Sequence, residues 1–181
     1  NAALRLSWYK FKHHYMDFVK VLLGIVAFEG LILYIQDKGF LKDFETTRMT
    51  LFLLLFSTSL LIVVQNSIYI SKERSVLNRD FFSGLSRSAF ALASMGIHAF
   101  FAVLETIVFI LSYSVFSKFF DKEFPDAGHI FGSYRWEVGI TVLLVFLASH
   151  FIALFISALV GKSEITSVIL AVVVGIMQFS L

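Results

Sequence analysis

The chain has 181 residues; 58% are hydrophobic, 15% are charged, one is proline and none is cysteine. Soluble domains run near 45–50% apolar and about 25% charged, so this balance excludes a disordered chain, a nucleic-acid-binding arm, a collagen-like fibre and a disulfide-stapled scaffold. It also argues against a soluble enzyme, because so short a chain cannot hide so much apolar surface, and the formal charge of +2 calls for no acidic or nucleic-acid partner. What remains is an all-α, polytopic integral membrane bundle in contact with the lipid bilayer.

Residues 1–17 read as an amphipathic interfacial helix. Leu4, Trp8, Phe11, Tyr15 and Phe18 recur at spacings of three and four, while Lys10, Lys12, His13 and His14 take other faces. That is the pattern of a helix lying in the headgroup layer. A crossing helix needs roughly 20 mostly apolar residues. Five runs approach this length: 18–36, 49–70, 89–116, 138–160 and 165–181. They are too long for barrel strands and lack their alternation. The fifth run is still apolar at Leu181, so the chain reads as C-terminally incomplete.

Lys and Arg set the orientation. With the N-terminus in the cytoplasm, nine of them lie inside, including Lys72, Arg74, Arg79, Arg87 and Lys162. Six lie outside: Lys38, Lys42, Arg48, Lys118, Lys122 and Arg135. The second outer loop then holds the only proline, Pro125.

The segment 71–88 joins spans two and three. Leu77, Phe81 and Leu85 are four apart and would form one apolar stripe on a helix. Glu73, Arg74, Arg79 and Asp80 surround that stripe, and none has an opposite charge three or four positions away. They are therefore expected to face water, lipid phosphate or another polypeptide. Gly84 suits a helix end before the next span.

Several polar residues lie inside the spans. Glu29 and Glu105 are mid-span acids, which commonly face protein or a watery cavity. Span two carries Ser57, Thr58, Ser59, Gln65 and Asn66; the pairs Thr58/Gln65 and Ser59/Asn66 are each seven apart and share roughly one face. Such residues serve either as interhelical glue or as contacts for a passenger. His98 and His150 lie at similar depth in spans three and four, as a haem held between two helices would require. The sequence Gly161-Lys162-Ser163 resembles the end of a phosphate-binding loop, but Ile156 stands where that motif needs Gly. No catalytic grouping or metal clamp can be named.

The succession Glu73-Arg74, Arg79-Asp80, Gly84-Leu85 resembles the first intracellular loop of G-subfamily-like, type-2 ABC exporters. The stretch Leu154–Glu164, followed by an apolar helix containing Gln178, resembles the same family. So does the order of elements along the chain. Asp80 stands where Glu is usual, Phe90 where Tyr is common, and span three lacks a proline; the bacterial branch is the closer likeness.

The resemblance implies a six-span domain, so a sixth span is expected after Leu181. It implies pairing with a second transmembrane domain, a homodimer, and docking on a fused or separate nucleotide-binding domain that holds ATP and Mg. This chain would itself hold no cofactor. Glu73, Arg74, Arg79, Asp80 and Gly84 would form the coupling segment. Spans two and five would line the pathway, which makes Ser59, Gln65, Asn66 and Gln178 the candidates for passenger contact, with Glu29 and Glu105 as further pathway or packing residues. Glu105 falls where bacterial relatives tend to have Gln, which favours a packing hydrogen bond. The rival readings are a b-type haem redox subunit using His98 and His150, and a non-catalytic membrane scaffold.

Overall fold

The sole proline lies outside every apolar run, and buried backbone in a bilayer must satisfy its own hydrogen bonds. Long helices follow from these two facts. The structure, a computed structural model, describes residues 2–36, 44–122, 130, 132–160 and 163–180, with side chains from Tyr15 to Gln178. The side chains of Leu4, Trp8, Phe11, His13 and His14, together with Pro125 and Lys162, lie outside the described residues.

Six helices make up the described fold: α1 (Ala2–Ile35), α2 (Phe44–Asn66), α3 (Tyr69–Phe82), α4 (Arg87–Phe119), α5 (Tyr134–Leu159) and α6 (Glu164–Ser180). By length and composition, four stretches can cross a membrane: Tyr15–Ile35, Phe44–Phe82, Arg87–Phe119 and Tyr134–Leu159. The segment Glu164–Gln178 of α6 is a shorter apolar helix. The interfacial segment is continuous with the first span, since α1 runs 34 residues without a break.

Helix α1 packs on α2 and α4, α5 lies against α2 and α4, and α6 lies on α2 and α5. The main core gathers Ile25 and Leu33 of α1, Leu54 and Ile62 of α2, Phe109 and Tyr113 of α4, and Phe146 of α5. A smaller core of Val63, Ile156 and Ala171 joins α2, α5 and α6 beneath α3. Gly175 of α6 faces Leu60 of α2, and a Cβ there would come within 2.6 Å of Leu60 Cδ1, so that side chain would have to shift.

The distribution of polarity is that of a membrane protein. Leu23, Leu31, Leu111 and Leu144 are exposed, while Glu29, Ser59, His98, Glu105, Ser149 and His150 are buried. Exposed apolar surface on this scale would be a liability in water. Many hydroxyls inside the spans bond back to the carbonyl four residues earlier, as at Thr58, Thr106, Ser114 and Ser149. This satisfies the donor without another helix.

At the end of the bundle opposite α3, Lys122 is buried, and its ammonium donates to the carbonyls of Leu33 and Gln36 at the end of α1. The Tyr113 hydroxyl donates to the Lys122 carbonyl at 3.1 Å. Read from sequence as an ordinary outer-loop charge, Lys122 instead caps the last carbonyls of α1.

Candidate functional site: the α3 helix and its seat

Helix α2 ends at Asn66, and α3 begins after only Ser67 and Ile68. The first N–H groups of a helix have no partner within it, and Ile68, at the N-cap of α3, provides no side-chain hydrogen bond. The partner comes from α5. Ser157 Oγ accepts from the backbone N–H of Ile70 at 2.8 Å and of Ser71 at 3.1 Å. In return, Arg74 Nη1 donates to the carbonyl of Ala158 at 3.0 Å, in the last turn of α5, where carbonyls lack intrahelical partners. Each helix thus caps the other. Ser71 Oγ also lies 3.3 Å from Ser167 Oγ of α6.

Gly84 ends α3. Its φ is +105°, Gly84 N–H donates to Phe81 O, and Leu85 N–H donates to Asp80 O. These two bonds form the glycine-terminated C-cap known as a Schellman motif. Ser86 then accepts from Ala89 N–H at the start of α4.

Four of the five charged residues of α3, Glu73, Arg74, Arg79 and Asp80, do not share a face. At 100° per residue, Glu73 and Asp80 lie within about 20° of each other, whereas Arg74 and Arg79 are roughly 140° apart. Ser71, Arg74 and Leu77 turn toward the bundle, and Leu77 is buried. Arg74 adds a bond within its own chain that periodicity did not show, to the carbonyl of Ala158, while its side chain also lines an open groove. Arg79 stays exposed on the opposite face, with Phe82 one turn on and 94% exposed. Sequence reading missed Phe82 because it falls outside the 77/81/85 stripe; a second aromatic directly after Phe81, out of register with that stripe, was the available signal. Asp17 ties α1 to α3, with Lys20 at 2.9 Å and Lys72 at 3.9 Å. Partly exposed pairs contribute little, so the two caps are the firmer joint.

A buried polar chain runs inward from α3. The Tyr69 ring meets His98 edge-on at 4.9 Å between centroids. His98 Nδ1 lies 3.0 Å from His150 Nδ1, and His150 Nε2 lies 2.8 Å from Glu105 Oε2. His98 and Glu105 are seven apart on one face of α4, and His150 of α5 bridges them.

The two histidines meet, but not as haem ligands. A metal–imidazole bond is about 2 Å long, so iron between two imidazoles needs nitrogens about 4 Å apart on opposite faces of the porphyrin. Nitrogens in direct contact at 3.0 Å leave no room for it, and Glu105 occupies the other nitrogen of His150. The redox reading is therefore set aside. Among the described residues, no three His, Cys, Asp or Glu side chains converge to hold a metal ion.

The remaining candidates separate by environment. Ser59 is buried, with its hydroxyl 2.6 Å from Ser149 Oγ, a direct α2–α5 link. Asn66 Nδ2 donates to Ile62 O. Gln65 and Asn66 line a cleft between α1, α2, α3 and α4 that Glu73 and His98 also reach. Gln178 Oε1 is buried, with no hydrogen-bond partner among the described residues. The Ser112 hydroxyl donates to Glu29 Oε2, joining α4 to α1. Ser57 bonds back to Leu53 O. The structure thus gathers Ser71, Arg74, Ser157 and Ala158 at one joint and His98, Glu105 and His150 at another. It leaves Gln178, Glu29 and Ser59 apart from both.

The family model described as ABC-2 type transporter matches residues 5–180. No curated protein and no solved structure matches the chain.

Proposed function

The chain belongs to the ABC-2 type transporter family, and on that premise we propose that it is the membrane-spanning half of an ATP-driven exporter of the bacterial, G-subfamily-like branch. Helix α3 is its docking helix on a nucleotide-binding domain. The N-terminus and α3 lie on the cytoplasmic side of the plasma membrane, two such domains pair as a homodimer, and ATP with Mg is held by the partner domain. The passenger stays open in this reading.

The observation that carries the proposal is the reciprocal capping of α3 and α5. A docking helix transmits movement only if it is joined to the spans more firmly than to solvent. Ser157 and Arg74 make two hydrogen-bonded links between α3 and the end of α5, and Ser71 reaches Ser167 of α6. Charge-assisted hydrogen bonds such as that of Arg74 have fixed geometry and resist sliding better than apolar contact. On the outward face, Arg79 and Phe82 stand one turn apart; Arg and aromatic residues are the types enriched at the centres of interfaces. Asp80 follows Arg79 directly, whereas Glu73 turns toward the cleft that α1 and α4 line.

Function then divides the charged set. Arg79, with Asp80 next to it, meets the motor domain; Arg74 holds the lever to its own spans, and Glu73 faces the cleft between α3 and α1. Substitution of Arg79 by Glu and of Phe82 by Ala tests the division. In the assembled complex, ATP turnover coupled to transport is expected to fall at least tenfold, while membrane insertion and melting temperature stay close to those of the unmodified protein. Unchanged turnover in both variants would remove α3 from the interface.

A further inference from the structure

Beside this outward face, α3, the start of α4 and the end of α5 enclose an open groove of about 400 Å³. Its floor is apolar, built by Phe90, Met95, Phe151 and Phe155. Two guanidinium groups, those of Arg74 and Arg87, line it, and no acidic side chain among the described residues does so. Arg87 Cζ stands 5.6 Å from the centre of the Phe81 ring, which is itself part of the groove wall. This contact holds a cation at the groove mouth.

The groove continues onto an exposed apolar flank, where Leu92 is 70% and Phe155 64% exposed. From Arg87 to Met95 is about two helical turns, roughly 12 Å along α4. Positive charge therefore sits at one end and hydrocarbon along the rest. A small soluble anion would match the charge of the arginines and leave the apolar floor open to water. A neutral apolar molecule would do the reverse. An amphiphile with a negative head satisfies both.

We propose that this groove binds one phospholipid with an anionic headgroup, its phosphate at Arg87 and Arg74 and an acyl chain along Phe90, Phe151 and Phe155. Charge complementarity selects the head: a zwitterionic lipid offers the same chains but brings a second cation toward two arginines. The site does not depend on the docking role of α3 and would stand if that role failed.

The test uses the full chain with its associated domain, in nanodiscs of phosphatidylcholine containing a minor fraction of phosphatidylglycerol with a photoreactive acyl chain. After irradiation, adducts are mapped by peptide. They are expected on residues 90–95 and 151–158. Arg87→Gln should reduce their yield roughly fivefold, the contribution of one basic residue near an anionic lipid surface, and Arg87→Lys should restore most of it. Arg87 is exposed at the first residue of α4, and labelling at the Leu144 flank reports whether the variant is assembled. Equal yield from a matched phosphatidylcholine probe would overturn the proposal, leaving ordinary lipid-facing surface. An unlabelled groove beside a labelled Leu144 flank would overturn it too, because another polypeptide would then cover the groove.

Discussion

Arg74 Nη1 donates to the carbonyl of Ala158 across 84 positions of sequence, at 3.0 Å. The neighbouring Ser157 accepts two N–H groups from the first turn of α3. A helix of 14 residues is marginal by itself in water. These contacts explain how α3 persists at the edge of the bundle and why it must move with α5.

Ser157→Ala deletes an acceptor shared by Ile70 and Ser71. Loss of a helix cap costs about 1 kcal/mol, so amide hydrogen exchange at these two positions should speed roughly fivefold. Exchange in the middle of α4 should not change. Equal protection in the variant would show that Ser157 is not the cap.

His150→Ala strips the partner from both His98 and Glu105. Each buried polar group left unmet costs about 1–3 kcal/mol. The melting temperature of the purified protein is expected to fall further than for His98→Ala, which leaves only His150 short of one bond. Glu105→Gln should melt close to the unmodified protein, because an amide offers both a donor and an acceptor to His150. A large loss with Gln would mean that the charge, and not the hydrogen bond, is required.

Ser112→Ala leaves Glu29 buried without the hydroxyl that meets its Oε2. A destabilisation of about 1–3 kcal/mol is expected. Glu29→Leu removes the acid along with its need for a partner, so its melting temperature should be equal to or above that of Ser112→Ala. If Glu29→Leu retains stability and also transport, the acid serves packing; if stability survives and transport fails, it belongs to the pathway.

Gly84→Ala tests the end of α3. Nothing lies within 4 Å of the position a Cβ would take, so the penalty is one of backbone alone at φ +105°. Left-handed backbone costs a Cβ-bearing residue about 1–2 kcal/mol. Faster exchange of the Leu85 amide, which donates to Asp80 O, should report the loosened cap, and Gly84→Asn should show a smaller effect.

The sequence alone determined the class of the molecule. Length and apolarity of the runs are local quantities, and a bilayer leaves them one way to satisfy the backbone. It also located the segment around α3, marked Gly84 as a stop, and placed His98 and His150 at comparable depth. What lay beyond it was partnership. Periodicity assigns a residue to a face of its own helix but does not say which helix covers that face. Arg74 therefore read as a charge for solvent or a partner, Lys122 as a loop charge, and Ser157 as a small residue near a helix end. Only packing brought Ser157 under α3, Lys122 under α1, and two imidazoles into hydrogen-bond contact where a metal had been conceivable. Hydrogen bonds act over about 3 Å, and which groups come that close is decided by how the helices are stacked, tens of residues away along the chain.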